Sequence, residues 1–252
     1  MLFSLCIPTI DRFDSFLNKY LPLYLNNAMV GEIIIGDENG NDVEKIKQAF
    51  PDQPKLKLFT NETRLGPFLN KLAVCAKATN EWIALIDSDN FAGEDYFQVA
   101  GAYLERHLHL HPREKNIILA PAKALPRFDF SHMAGLIYKK GNFAAHRLFE
   151  SRVLTPYLAR NDILINTGNY VLNKYLINHL NLAAEQQNIP RSSACDVVYL
   201  NTLLFEQLDL NMHIVPHLEY THVVHEGSLY MQTKDDFSHF NEEVYQRYRM
   251  LL

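Results

Sequence analysis

The chain has little cysteine, little basic charge and no long apolar run, and each shortage excludes a class of protein. Three cysteines (Cys6, Cys75 and Cys195) are odd in number and lack the CxxC spacing, which excludes a disulfide framework and a zinc ribbon. Cys6 and Cys75 sit in apolar runs and read as buried thiols. A net charge of −5 with a pI near 6.1 gives no basic face to track phosphates, so nucleic acid is not expected as a partner. No stretch approaches the roughly 20 apolar residues that cross a bilayer. Leu2–Ile7 begins an apolar run without a charged leader, so a signal peptide is not expected. The expected location is cytoplasmic, with contact at the inner face of a membrane left open. Internal repeats, low-complexity segments and Pro/Gly/Ser linkers are also missing, and oligomeric state is not legible.

What is present is ample apolar residue content, 48% of 252 residues against 21% charged, enough for a sizeable core. In the first half, Leu2–Ile7, Glu32–Ile35, Leu56–Phe59 and Trp82–Ile86 read as short buried strands. Phe13–Tyr24, Asp42–Phe50 and Phe68–Ala78 read as helices between them, the last with Leu69, Leu72, Ala73 and Ala76 along one face. Strand–helix alternation predicts an α/β fold with a mostly parallel sheet covered on both faces. Such sheets bind ligands beyond the carboxyl ends of their strands. Pro8-Thr9, Asp37-Glu38-Asn39 and Asp87-Ser88-Asp89 all lie there.

The second half is less regular. Asn116–Ala120 reads as a strand, Ile163–Asn166 and Tyr170–Leu172 as strands about Gly168, and His213–Val215 as another. Lys174–Gln187 and Asp196–Leu208 read as helices. Asp235–Leu251 reads as a terminal amphipathic helix with Phe237, Phe240, Val244, Tyr248 and Leu251 on one side. One domain is expected over 1–252, with a nucleotide-binding half at 1–120 and an acceptor-binding half at 121–252.

The sharpest chemical feature is Asp87-Ser88-Asp89-Asn90 after the apolar run from Trp82. Two carboxylates at i and i+2 project to one side as the chain leaves the sheet. Hard divalent cations use one or two carboxylates together with substrate phosphates. A solvated turn after a strand is the plain alternative. Asp196 opens an amphipathic helix, where a first-turn acid is favoured by the helix dipole. His222 and His225, beside Glu226, form a second candidate metal group. His107, His109 and His111 read as a solvated helix terminus before Pro112. Lys139, Lys140 and Arg147 with Phe143 and Phe149 line an acceptor cleft or form an exposed loop.

These segments together resemble family 2 glycosyltransferases of the GT-A fold. Phe3–Thr9 looks like that family's opening strand with its nucleotide-contacting Pro-Thr. Glu32–Gly40 resembles the second strand, whose terminal acid contacts uracil or ribose, and the family's usual acidic pair aligns with Gly36-Asp37. Asn61–Gly66 followed by Leu69-Asn70-Lys71 resembles the glycine turn and helix start before the DxD. The resemblance implies a UDP-sugar donor with Pro8, Thr9, Asp37, Arg64, Asn70, Lys71, Asp87 and Ser88 on its side. It implies a divalent cation on Asp89, Asp87 and His225; an imidazole ligand favours Mn²⁺ over Mg²⁺. It further implies Asp196 as the base toward an acceptor hydroxyl, with inversion at the anomeric carbon, and Gly168, Asn169 and His222 on the acceptor side. A glycan, glycolipid or glycoprotein is the expected acceptor, as in polysaccharide or lipopolysaccharide biosynthesis. The alternatives are a retaining GT-A transferase, a nucleotidyltransferase, and an inactive sugar- or partner-binding domain.

Overall fold

A computed structural model describes residues 1–141, 161–185, 189–190, 195–233 and 239–251. Its frame is one sheet of nine strands in the order β3-β2-β1-β4-β8-β5-β9-β7, with β6 paired to β5. β1 (Phe3–Thr9), β2 (Val30–Asp37), β3 (Leu56–Thr60) and β4 (Trp82–Leu85) are mutually parallel. β8 (Val171–Asn173) runs antiparallel between β4 and β5 (Ile117–Leu125). β9 (Asn211–Thr221) is parallel to β5, and β7 (Ile137–Tyr138) closes that edge. β6 (Phe128–Asp129) folds back on β5.

β1 and β4 are buried along almost their whole length, as the continuous apolar runs of doubly covered parallel strands require. The first connection is a π-helical turn (Phe13–Leu17) leading into α1 (Asn18–Asn26). α2 (Asn41–Ala49), α3 (Pro67–Ala76) and α4 (Glu94–Leu110) complete the helices of the first half. α3 starts with Pro67 at its first position, where the missing N–H costs nothing. It buries Phe68, Asn70, Lys71, Val74 and Cys75, so the face expected from Leu69, Leu72, Ala73 and Ala76 is corrected by a rotation. Leu69 and Leu72 pack only at the margin of the core, while Lys71 is drawn inward by two carboxylates.

Beyond β5 the sequence expectations are met unevenly. Ile163–Asn166 is not a strand: α5 (Asn161–Thr167) buries Leu164 and Ile165. A short apolar run has no period to separate the two. The helix expected over Lys174–Gln187 is shorter, α6 (Lys174–His179), opened by the Asn173 side chain accepting from the Tyr175 N–H; Gln186 and Gln187 lie outside the described residues. α7 (Asp196–Leu208) has the expected bounds and buries ten consecutive residues, Asp196 through Phe205. α8 (Leu229–Thr233) and α9 (His239–Arg249) follow, and Val244, Tyr248 and Leu251 are buried as expected. Phe237 and the Phe240 side chain lie outside the described residues. All three cysteines are buried free thiols. Among the described residues, no helix is long and apolar enough to cross a membrane.

Candidate active site

The carboxyl ends of β1, β2 and β4 open onto a cavity of about 1170 Å³. Its wall includes Pro8, Thr9, Arg64, Asn70, Lys71, Asp87, Ser88, Asp89, Asp196 and His222, ten of the residues singled out in the sequence. Asp37, Gly168, Asn169 and His225 are not in that wall, and each has a different reason.

Asp37 is fully buried. Its carboxylate accepts the N–H groups of Asp42 (2.8 Å), Val43 (3.0 Å) and Asn39 (3.2 Å). It caps the start of α2 and has no face toward the cavity, which corrects its assignment to the nucleoside. Glu38, the next residue, lines the cavity; its Oε2 accepts from Leu65 N–H at 2.8 Å, and its buried Oε1 has no hydrogen-bond partner among the described residues. The acidic pair of this strand end is therefore Asp37-Glu38, one residue beyond the alignment with Gly36-Asp37. Gly36 lies under α3, where a Cβ would stand 2.6 Å from Val74 and 2.7 Å from Phe59. Sequence reading missed Glu38 although it lies in the strand-end triplet Asp37-Glu38-Asn39.

Lys71 links the other acids. Its ammonium lies 2.8 Å from Asp87 Oδ1 and 2.8 Å from Asp196 Oδ2, with the side chain 9% exposed. Its charge is committed to these carboxylates, not held free for a diphosphate. Burial alone would favour the neutral amine, but Asp196 and Asp87 outweigh it and hold the ammonium well above its ordinary pKa. Asp196 is pushed up, first by burial and then by Asp87, against the lowering effect of Lys71. Its Oδ1 also accepts its own helix's Val197 N–H at 2.9 Å.

Asp89 sits beside His225, with Oδ2 and Nε2 3.2 Å apart. Burial and the neighbouring Asp87 raise its pKa; His225 and Arg12 act the other way. His225 reaches this position because the turn after β4 is fastened to the segment after β9. Phe91 and Thr221 exchange backbone hydrogen bonds, and Asn90 Oδ1 accepts the Val223 N–H at 2.9 Å. The imidazole also lies against Phe16, ring centroids 4.9 Å apart. Asp87 and Asp89, both half-buried, and the His225 imidazole are donor types that suit a divalent cation with phosphate oxygens filling other positions. Arg12, absent from the sequence reading, lines the cavity and donates to the Gly227 carbonyl at 2.6 Å.

Asn169 acts behind the wall. Its Oδ1 accepts the Asp87 N–H at 2.8 Å while its backbone holds φ +59°. Gly168, at φ +66°, faces Val197, not the cavity. The cavity side of this segment is supplied by Asn166 and Thr167. His222 is in the wall, with Nδ1 3.2 Å from the Tyr220 hydroxyl. Thr9 donates to Asp42 at 2.5 Å, and Asn70 donates to the Gly36 carbonyl at 3.0 Å, so both also stitch the strand ends. Lys140 is exposed, and Phe143, Arg147 and Phe149 lie outside the described residues.

Residues 4–110 match the Glycosyl transferase family 2 profile. No curated protein matches the chain by sequence. Among solved structures it is similar to S. aureus TarS 1-349 in complex with UDP-GlcNAc, with TM-score 0.65 and 15% identity over 98% of this chain and 66% of that one. The TarS 1-349 crystal structure without a named ligand gives TM-score 0.61 and 15% identity over 98% and 65% of the two chains. The mannosyltransferase PcManGT from Pyrobaculum calidifontis, in complex with GDP-Man and Mn²⁺, gives TM-score 0.55 and 14% identity over 91% and 59%. The chain thus spans just under two thirds of the TarS 1-349 length. The shared architecture is the GT-A fold.

Proposed function

We propose, from the match of residues 4–110 to the Glycosyl transferase family 2 profile and the shared fold, that the chain is a family 2 enzyme carrying out a metal-dependent, inverting transfer of a sugar from a UDP-sugar to an acceptor hydroxyl. One observation carries the reading: a single cavity is lined by Asp89, which is backed by His225, and by a buried acid, Asp196, tied to Asp87 through Lys71.

Asp89, His225 and Asp87 would hold the divalent cation, with Mn²⁺ preferred because an imidazole is among the ligands. The cation, when bound, offsets the charge developing on the departing diphosphate. Glu38 Oε1, buried and unpartnered in the wall, is suited to accept the imino N–H of the base. Pro8, Thr9 and Arg64 complete the nucleoside and phosphate side. Asp196 takes the proton of the acceptor hydroxyl as that oxygen bonds to the anomeric carbon. The bond from that carbon to the diphosphate breaks on the opposite face, and the nucleoside diphosphate leaves with the electron pair. Displacement in one step inverts the configuration. Lys71 stays protonated and orients Asp87 and Asp196. A glycan, glycolipid or glycoprotein supplies the hydroxyl.

The full chain incubated with a panel of UDP-, GDP- and other nucleotide sugars and Mn²⁺ should hydrolyse a UDP-sugar without acceptor, and Asp89→Asn should abolish this. Hydrolysis limited to GDP-sugars would refute the uridine assignment. Retained hydrolysis in folded Asp89→Asn would refute the metal assignment.

A further inference from the structure

Nε2 of His213, on β9, is buried and has no hydrogen-bond partner among the described residues; the residue is 1% exposed. Its Nδ1 lies 2.9 Å from the Tyr103 hydroxyl. With the ring proton on Nδ1 and donated to the tyrosine oxygen, Nε2 presents a bare lone pair. The opposite tautomer would bury an N–H with no acceptor among the described residues, so the ring lacks a partner there at Nε2 either way. Burial, and then nearby His107, lower its pKa to about 4, which keeps the ring uncharged.

Two other donor residues lie beside this histidine. His107, in the last turn of α4, sets its ring perpendicular to that of His213 with centroids 4.7 Å apart. Glu114, in the loop before β5, places Oε2 2.8 Å from His107 Nε2. One donor atom from each of His107, Glu114 and His213 lies within 4.8 Å of the others. None of the three lines the cavity at Asp87 and Asp89. We propose that His107, Glu114 and His213 form a second metal site, selective for Zn²⁺, that ties the end of α4 and the loop after it to β9.

Two imidazoles and one carboxylate are a Zn²⁺ donor set, whereas Mg²⁺ and Ca²⁺ call for oxygen throughout. The outer partners are in place as well. The Tyr103 hydroxyl holds His213 at Nδ1, and the Asn211 side-chain amide donates to Glu114 Oε1. Such contacts orient ligands and raise their basicity. Water, or His111 with its ring 4.7 Å from that of His107, completes a four-coordinate set. His107 is half-buried, while His109 and His111 are exposed as the sequence suggests.

The test is Zn²⁺ competition against a chromophoric chelator, using the full chain and its variants. His107→Gln should lower the Zn²⁺ stoichiometry by one equivalent, and Glu114→Gln should do the same. The Asp89→Ala, His225→Ala double variant should keep that equivalent, which separates this site from the proposed donor site. Tyr103→Phe, a positioning change, should retain the equivalent with affinity about 10–100-fold weaker. Zn²⁺ should also raise the thermal midpoint of the unsubstituted chain but not that of His107→Gln. Circular dichroism checks that each variant is folded. Unchanged stoichiometry in folded His107→Gln, or no tight Zn²⁺ in the Asp89→Ala, His225→Ala chain while it is folded, would overturn the proposal.

Discussion

Lys71 holds its ammonium 2.8 Å from Asp87 and 2.8 Å from Asp196, and this contact decides how the base titrates. Burial raises the Asp196 carboxyl and Lys71 lowers it, so the acid limb of kcat/KM should lie above the ordinary carboxylate range. Lys71→Met removes the lowering cation, and the limb should move to higher pH. A limb that stays in place in the folded variant would mean that another group is the base. Asp196→Asn should reduce kcat by about 10²–10⁴-fold with little change in KM; near-normal turnover would favour a retaining mechanism. Asp87, Asp89 and Asp196 were legible because acids at strand and helix ends stand out. The link through Lys71 was not, since nothing in the spacing says that a helical lysine points inward between acids distant in the chain. Glu38 was hidden by its neighbour: Asp37 satisfies the backbone at the start of α2, and only the fold shows which of the two faces the cavity.

At the scale of elements, the order of strands and helices in the first half was readable from alternating runs. The rotation of α3 was not, because partners on β1 and β2 choose the buried face. Gly36 measures how close that packing is. Its missing Cβ would stand 2.6 Å from Val74 and 2.9 Å from Asn70 Oδ1, so Gly36→Ala should destabilise by about 1–3 kcal/mol. Urea unfolding should show a lower midpoint at constant slope; an unchanged midpoint would mean α3 can yield. The second half was harder to read. A strand such as β9 extends from Asn211 to Thr221 where periodicity marked only His213–Val215. Its far end carries the segment that brings His225 to Asp89.

Across the whole molecule, Glu32 ties together strands β1, β2 and β3. It accepts from Ser4 on β1, Lys57 on β3 and both the N–H and hydroxyl of Thr79. Burial would raise its pKa, but these donors outweigh burial and bring it down to about 2. The unfolded chain takes up the proton first as pH falls. This contribution to stability is therefore present above the ordinary carboxylate value of 4.5 and lost between there and about pH 2. Glu32→Gln should cost about 1–3 kcal/mol at neutral pH and flatten the decline of the unfolding free energy over that acid range. An equally steep decline in Glu32→Gln would place acid sensitivity elsewhere.

If the cavity binds a nucleoside diphosphate through a cation on Asp89 and His225, calorimetric titration of UDP into the full chain will show it. Saturable binding is expected with Mn²⁺, weakening sharply when the metal is chelated or Asp89 is replaced by Asn. Binding of equal strength without Mn²⁺, or no UDP binding by the folded protein in its presence, would contradict it.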